Sequence, residues 1–244
     1  MKKFVLAAIA AAASCCAPAL AAPPTVPMFS WTGCYIGGNA GYAWAYKNGT
    51  VTGQDFNGAP LNRDIHPLGS THPDGGAYGA QIGCDYQFNN NWVVGIRGMW
   101  DGSDLTGSNP SPLFGPPYGS KYKINRFATL VATFGYLLNP NLELYGLGGV
   151  AWVHDHLDFV ILPAFVVNDT LLATGSFNRT GYDVGVGIAW MFAPHWNLFV
   201  EYDHMGFGTK NITMMGAQSS APNTWFADIK QNMDKVLVGI NLRQ

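Results

Sequence analysis

Charged residues are scarce in this chain. Asp, Glu, Lys and Arg make up only 11% of its 244 residues, whereas a share of about 25% is usual. The formal net charge of −2 gives no sign of a basic surface for nucleic acid. Aromatic residues, by contrast, reach 14%, and 30 residues are glycine. This combination suits a β-barrel that has one face in lipid.

The N-terminal segment lacks the length of a membrane-spanning helix. Its apolar run, Phe4 to Ala13, is too short to cross a bilayer. The run follows two lysines and precedes the small-residue sequence Ala19-Leu20-Ala21, an order typical of a secretory signal peptide. We therefore predict a signal peptide at 1–21, a short leader at 22–30 and one barrel domain at 31–244.

Cysteine is scarce as well, with four in the chain. Cys15 and Cys16 fall in the predicted signal peptide, where Ala12-Ala13-Ser14 lacks the large aliphatic residue usual before a lipidated cysteine. Cys34 and Cys84 remain after cleavage. They fall near the same end of neighbouring predicted strands, on the lipid-facing side, and an oxidising compartment permits a disulfide between them. The alternative is a pair of small apolar surface residues.

Two-residue alternation is what the chain has in abundance. From Thr180 to Gly208, apolar and aromatic residues alternate with small or polar ones, with one break at Ala193-Pro194-His195. Because successive side chains of a strand point to opposite sides, this pattern predicts a β-hairpin with one apolar face. Each arm has about the ten residues that a tilted strand needs to cross a bilayer. The apolar faces begin and end in aromatic residues, as expected at membrane–water interfaces.

The same alternation predicts six further strands. They run from about Trp31 to Tyr46, Gly76 to Phe88, Trp92 to Asp101, Lys121 to Leu138, Asn141 to His154 and Met233 to Arg243. Long loops are predicted at 47–75 and 102–120, between His154 and Phe177, and at 209–232, and they alternate with short turns. An even number of strands with both termini at one rim produces this order. We predict an all-β, eight-stranded antiparallel up-and-down transmembrane β-barrel with short periplasmic turns and long extracellular loops.

A soluble eight-stranded barrel of the lipocalin type is the alternative fold. Its apolar face would turn inward, and here that face carries Trp, Tyr and Ile, which are too bulky for so narrow an interior. The opposite face, rich in glycine with a few Asp, Gln and Arg, has too little charge for an aqueous surface. The alternation therefore favours a membrane barrel.

Four blocks of the sequence resemble a known family. They are WTGCYIGGNAGYAW, GAYGAQIGCDYQFNNNWVVGIRG, RTGYDVGVGIAWMFAPHWNLFVEYDHMGFG and the ending DKVLVGINLR. In this order they are similar to the Omp25/Omp31 family of alphaproteobacterial outer-membrane proteins. The resemblance implies an eight-stranded barrel, abundant in the outer membrane and exposed on the cell surface. It also implies a porin-like character, with host interaction or haem binding in some members.

The chain departs from this family at several positions. It ends in Gln244, whereas family members usually end in an aromatic residue that the barrel-assembly machinery reads. Val131 and Thr133 stand where the family commonly has inward arginines, and Ala189 stands where it has an inward acid. The resemblance therefore implies a lumen that is less charged than is usual in the family.

Four inward charged residues are candidates for the lumen. Arg97 and Glu201 are predicted at mid-depth, with Asp183 and Asp203 nearer the outer end. A charge in a narrow lumen needs a partner, and Arg97 and Glu201 could meet across the barrel. Two interpretations remain open: an internal ion pair that plugs the barrel, or a charge ring that lines a channel.

Two other groups of residues are candidates for binding. His154 and His156 share one side of a strand end and are weak candidates for a metal or haem site, because no third ligand is evident. The apolar run that includes Phe159, Ile161, Leu162 and Phe165 is a candidate interaction surface in the third loop. The alternative is that the strands extend above the membrane and pack this run in a small hairpin.

The resulting functional prediction is a structural, surface-exposed outer-membrane protein with at most a narrow pore and no cofactor. The alternatives are a passive diffusion channel, or a host-interaction or haem-binding surface receptor. We expect no enzyme, because a lipid hydrolase or acyltransferase needs a serine beside a histidine, and no serine is close in sequence to His204 on the lipid face. The expected partners are outer-membrane lipid and lipopolysaccharide and the barrel-assembly machinery, with host surface ligands as a further option.

Overall fold

The computed structural model describes residues 29–56, 59–62, 66–110, 118–161, 170–216 and 223–244. The predicted signal peptide and most of the predicted leader lie outside these residues. The strands are β1 Gly33–Phe56, β2 Ala59–Asn62, β3 His66–Thr71, β4 Asp74–Phe88, β5 Trp92–Pro110, β6 Tyr118–Asn139, β7 Leu142–Ile161, β8 Thr170–Ala193, β9 Trp196–Gly216 and β10 Asn223–Arg243. In the part of the chain that is described, no helix is long and apolar enough to cross a membrane.

Eight long strands form a closed antiparallel ring. The order is β1, β4, β5, β6, β7, β8, β9 and β10, so that each strand pairs with its neighbour along the chain. The first and last strands close the ring, with Tyr35 opposite Arg243 near one rim and Phe56 opposite Asn223 near the other. The short strands β2 and β3 pair with the outer part of β1. The prediction of an eight-stranded up-and-down barrel is confirmed.

Three short turns connect consecutive long strands at one rim. The turn between β4 and β5 covers 89–91, that between β6 and β7 covers 140–141, and that between β8 and β9 covers 194–195. Asn89 and Asn90 have φ angles of 49° and 62°, and positive φ at both central residues is the signature of a tight hairpin turn of type I′. Asn tolerates this conformation better than most residues. By the rule that short turns face the periplasm, this is the inner rim.

The outer wall of the barrel is apolar over the height of a membrane. On β9 the side chains of Leu198, Val200 and Tyr202 are exposed, whereas Phe199 and Glu201 are buried inside. The other strands show the same alternation, with the faces that the sequence predicts. Aromatic side chains such as Trp92, Tyr136 and Trp190 face outward near the inner rim, and Trp44, Trp100, Trp152, Tyr182 and Tyr202 do so further out. These outer aromatic residues mark the outer edge of the membrane band.

The four predicted long loops are wrong in extent, because the strands continue beyond the membrane band. β1 continues to Phe56 and β7 to Ile161, while β9 and β10 cover all of 209–232 except 217–222. From Trp152 to the end of β7 at Ile161 there are nine residue steps. At about 3.3 Å per residue and a tilt of about 40°, these steps raise the strand on the order of 20 Å above the membrane band.

Above the membrane band the apolar side chains change from the outer to the inner face. Leu157 and Phe159 on β7, Ile212 and Met214 on β9 and Ile229 on β10 are buried. With Val51, Leu68, Tyr122 and Ala227 they form a second hydrophobic core, which we call the outer cluster. Water surrounds the wall at this height, so a polar outside and an apolar inside become the favourable arrangement. This change removes the outward apolar pattern by which the membrane strands were predicted.

Candidate functional site

The lumen at mid-depth holds an ion pair between opposite walls. Arg97 on β5 and Glu201 on β9 lie four strands apart in the eight-stranded ring. Nη2 of Arg97 donates to both carboxylate oxygens of Glu201, at 2.6 and 2.7 Å. The two side chains are only 5% and 0% exposed. The pair therefore lies across the lumen, and most of its interaction is shielded from water.

Aromatic rings hold this pair in position. The Tyr145 hydroxyl donates to Oε2 of Glu201 at 2.7 Å, and the Phe199 ring lies 5.7 Å from the Arg97 guanidinium. Each ring crosses a glycine on the neighbouring strand. A Cβ on Gly187 would come within 2.4 Å of the Tyr145 ring, and one on Gly239 within 2.3 Å of the Phe199 ring. Glycine at these two positions lets the rings lie against the wall and fill the lumen.

A second charged group lies further out in the lumen. Nζ of Lys235 on β10 is 3.0 Å from Oδ2 of Asp203 and 3.9 Å from Oδ2 of Asp101. Asp183 is also buried, on β8 beside β9. Of the predicted lumen candidates, Asp203 is the direct cross-strand partner of Lys235 on the neighbouring strand, and Asp183 lies at nearly the same height. The 3.9 Å contact is too long for a hydrogen bond, so Asp203 is the closer partner of Lys235.

A third charged group closes the inner rim. Nη2 of Arg243 lies 2.8 Å from Oδ2 of Asp85 and donates to the Trp31 carbonyl oxygen at 2.5 Å. The Trp31 ring lies 5.3 Å from the guanidinium, and its Nε1 donates to the Pro140 carbonyl at 3.1 Å. Trp31 is completely buried. Trp31, two residues before β1, therefore folds across the inner mouth.

A fourth charged group lies just above the membrane band. Asp155 on β7 accepts from Nζ of Lys47 at 2.8 Å, and Nε of Arg179 lies 3.2 Å from its other oxygen. Burial lowers the pKa of the Lys47 ammonium, and Asp155 partly counteracts this effect. The Tyr122 ring lies 5.0 Å from the Lys47 ammonium. Burial raises the pKa of the Tyr122 phenol to about 12.

A small cavity separates two of these groups. A cavity with a volume of about 20 Å³ lies between the Arg243 and Arg97 levels, lined by polar side chains that include Glu143 and Asn241. A water molecule needs a cavity of about 10–15 Å³, so this space holds one or two. Above it, the lumen contains a hydrophobic cluster with Met99, Phe127 and Met205 among the charges.

His154 and His156 lie on the outer face of β7, each opposite a polar residue of β8. Nδ1 of His154 is 2.7 Å from Oδ1 of Asn178, and Nδ1 of His156 is 2.7 Å from the Ser176 hydroxyl. Oδ1 of Asp158 lies 3.1 Å from Nε2 of His156. Among the described residues, no group of three or more His, Cys, Asp or Glu residues has the geometry to hold a metal ion.

The candidate residues of the third loop are only partly described. Phe159 is buried in the outer cluster, with its ring centroid 6.3 Å from that of Trp225. It therefore lies inside the extended strands rather than on an exposed patch, because the apolar face turns inward at this height. Ile161 is the last residue of β7. Leu162 and Phe165 lie outside the described residues.

Cys34 and Cys84 face each other on the lipid side of β1 and β4. They are direct cross-strand partners with Cα atoms 3.9 Å apart, and a disulfide joins them. The bond lies one strand pair away from the barrel closure, near the inner rim. It lies on the outer face of the wall, whereas the lumen charges lie on the inner face, so its role is in the wall of the barrel.

Several lumen charges were missed in the sequence. Lys235 falls on the same face of β10 as Leu237 and Asn241, so the two-residue alternation alone places its side chain inside the barrel. Lys47 and Arg179 fall in or beside segments predicted as loops. These residues are buried in ion pairs, so the lumen holds charges beyond the four candidates that the sequence predicted. Its charges come from positions other than Val131, Thr133 and Ala189.

A closed ring of amphipathic strands with an apolar outer band defines an integral outer-membrane β-barrel protein. The family model for the outer membrane protein beta-barrel domain matches residues 7–233, and the chain belongs to this family. The chain is 29% identical to the 31 kDa outer-membrane immunogenic protein of Brucella melitensis, over the full length of both. This similarity confirms the resemblance to the Omp25/Omp31 family and the location in the outer membrane.

Two further similarities agree with the fold. An uncharacterized protein of Coxiella burnetii is 25% identical over 90% of this chain and 86% of its own length. The outer membrane protease OmpT of Escherichia coli superimposes with a TM-score of 0.54 and 10% identity, covering 90% of this chain and 99% of that structure. At this identity the likeness to OmpT shows the fold alone. The Brucella protein carries a non-enzymatic name, whereas OmpT is a protease.

Proposed function

We propose that the protein is a closed barrel that displays a rigid β-structure above the outer membrane and conducts no solutes. The observation that carries this proposal is the ion pair of Arg97 and Glu201, which crosses the lumen at mid-depth. A solute or ion that passes this level has to separate the two charges. Leaving one buried charge without its partner costs about 3–5 kcal/mol.

The other levels of the lumen support the same conclusion. Trp31 and Arg243 block the inner mouth, Lys235 and Asp203 lie above the central pair, and Asp155 binds two cations further out. A conducting pore would need a continuous hydrated path past all four levels. At the inner level, the cavity between Arg243 and Arg97 has space for one or two water molecules.

The strand extensions support a role in display. The outer cluster gives the strands above the membrane band their own hydrophobic core, which keeps them ordered outside the bilayer. Loops that a rigid scaffold carries are the usual place for recognition. In this chain the scaffold holds the connecting segments on the order of 20 Å above the membrane band, as estimated from strand rise and tilt.

Catalysis is not part of this proposal. In the described residues, the polar contacts of His204 are with Asp234, whose Oδ1 lies 2.8 Å from Nδ1. The same oxygen accepts from the Tyr202 hydroxyl at 2.7 Å. A serine nucleophile would have to approach this histidine, and no hydrogen bond joins His204 to a serine in this part of the chain.

Liposome swelling distinguishes a closed barrel from the diffusion channel that is its alternative. We expect liposomes that carry the refolded mature protein to swell in arabinose no faster than protein-free liposomes. Heat-modifiable gel mobility reports that the inserted protein is folded. Swelling whose rate falls with increasing sugar size would refute the closed barrel and support the channel.

A further inference from the structure

A groove lies on the outer wall where β5, β6 and β7 leave the membrane band. Its volume is about 250 Å³, a little below the range of about 300–1,000 Å³ typical of ligand pockets. Trp100, Ala128 and Trp152 are direct cross-strand partners on the lipid-facing side. The two indole rings form the walls and the small Ala128 side chain forms the floor, so the groove is mainly apolar.

A cation lies at the outer end of this groove. Arg126 is two residues beyond Ala128 on the same face of β6, and its cross-strand partners are Gly102 and His154. Both Arg126 and His154 line the groove, together with Asn178. The Arg126 side chain is exposed and has no hydrogen bond or ion pair with any described residue. Gly102 has no side chain with which to cover it.

We propose that this groove binds a phosphorylated lipid of the outer leaflet, with one acyl chain between Trp100 and Trp152 and a headgroup phosphate on Arg126. The short turns place the opposite rim in the periplasm, so the groove lies in the outer leaflet. Tryptophan favours the headgroup level, because its ring is apolar and its N–H is polar. The planar guanidinium suits bidentate binding of a phosphate.

The charges that line the groove support this choice of ligand. Arg126 is cationic, His154 and Asn178 are polar, and no acidic side chain is among the described residues that line the groove. Lys123 adds a second exposed cation further out on β6, while Asp104 on β5 is an exposed carboxylate outside the groove. The polar end of the groove itself is therefore complementary to a phosphate.

The proposal does not depend on whether the lumen conducts. It concerns the outer wall, and the side chains of Trp100, Arg126 and Trp152 are exposed on the face away from the charged lumen. Substitutions in the groove can therefore be made without disturbing the ion pairs. Heat-modifiable gel mobility shows whether each variant is folded before its binding is compared.

The test is native mass spectrometry of the refolded protein titrated with bis-phosphorylated lipid A and with the same lipid after removal of its phosphates. Arg126→Ala should weaken binding of the phosphorylated lipid by about tenfold and leave binding of the phosphate-free lipid unchanged. Ala128→Leu, which fills the floor of the groove, should weaken binding of both lipids. Arg126→Gln provides a second charge-removing variant.

Two matched controls separate the groove from the rest of the wall. Lys230→Ala removes an exposed cation from β10, and Ala132→Leu adds the same bulk to β6 at mid-membrane; both should bind like the wild type. The proposal is overturned if Arg126→Ala behaves like Lys230→Ala, or if Ala128→Leu behaves like Ala132→Leu. It is equally overturned if the wild type forms dimers that Ala128→Leu abolishes while lipid A has no effect, because the groove would then seat a second copy of the chain.

Discussion

Individual side chains in this barrel are stabilised in pairs, and Arg97 with Glu201 is the pair that crosses the lumen at mid-depth. Replacing either residue by alanine leaves the other charge buried, so we expect Arg97→Ala and Glu201→Ala each to lower the free energy of unfolding by about 3–5 kcal/mol. The double variant leaves no unpaired charge at this level. Its loss should therefore be smaller than the sum of the two single losses.

Urea unfolding in detergent micelles measures this double-mutant cycle. The Tyr145 hydroxyl remains available to Glu201 in the Arg97→Ala variant, so that variant should be the milder of the two single replacements. Strictly additive losses would mean that the two charges do not interact, and the account of the central pair would be wrong.

Tyr122 gives the extension above the membrane a dependence on alkaline pH. Its phenol has a pKa of about 12 in the folded chain, against 10.0 for an ordinary tyrosine, mainly because of burial. The folded chain therefore keeps its proton longer than the unfolded chain, and the stability from the neutral phenol is lost as pH rises above 10. Between pH 9 and pH 11 the free energy of unfolding should fall by about 1 kcal/mol more for the wild type than for Tyr122→Phe. An equal fall in both proteins would contradict this assignment.

Neighbouring strands β1 and β4 are joined covalently as well as by their hydrogen bonds. The disulfide of Cys34 and Cys84 spans 50 residues, and a bond that closes a loop of this length typically contributes about 2–4 kcal/mol. We expect a reducing agent to lower the free energy of unfolding by about this amount, while the barrel still forms. Cys34→Ser should be insensitive to the reducing agent. A wild type that is equally insensitive would show that the bond does not form in solution.

Which elements could be predicted from the sequence depends on what surrounds them. Lipid on one side imposes a strict two-residue pattern, so the strands of the membrane band and their faces follow from residues such as Leu198, Val200 and Tyr202. Above the membrane band the outer face of the strands contacts water instead of lipid, and the inner face packs into the outer cluster. Ile212 and Met214 turn inward after a bulge near Gly208, where φ is +62° and the register between β9 and β10 shifts. The outward apolar pattern ends there, so the sequence of the continuing strand resembles that of a loop.

In the lumen, too, the sequence predicts which side chains point inward but not which of them meet. The two-residue alternation places Arg97 and Glu201 inside the barrel, and their positions along the strands bring them to the same depth in the lumen. No local pattern gives the distances across the ring, such as that between Lys235 on β10 and Asp101 on β5. Lys47, Asp155 and Arg179 meet only because the strands extend past the membrane band, so missing the extension also meant missing this group.

At the scale of the whole molecule, the two hydrophobic environments divide the barrel into two functional parts. The membrane band is apolar outside and holds buried charges among apolar side chains inside, which suits a fixed anchor. The extension is polar outside and apolar inside, which suits a rigid platform for the connecting segments. The levels of Arg243, Arg97, Lys235 and Lys47 separate the periplasm from the outer surface in series, so the loss of one pair should leave the other levels closed.

Single-channel conductance of the refolded mature protein in a planar bilayer tests the closed lumen most directly. In 1 M KCl we expect no conductance steps from protein whose folding is shown by heat-modifiable gel mobility, with a known porin as the control for insertion. Steady steps that scale with salt concentration, and whose ion preference Arg97→Glu shifts toward cations, would contradict the account and make Arg97 and Glu201 the lining of a pore.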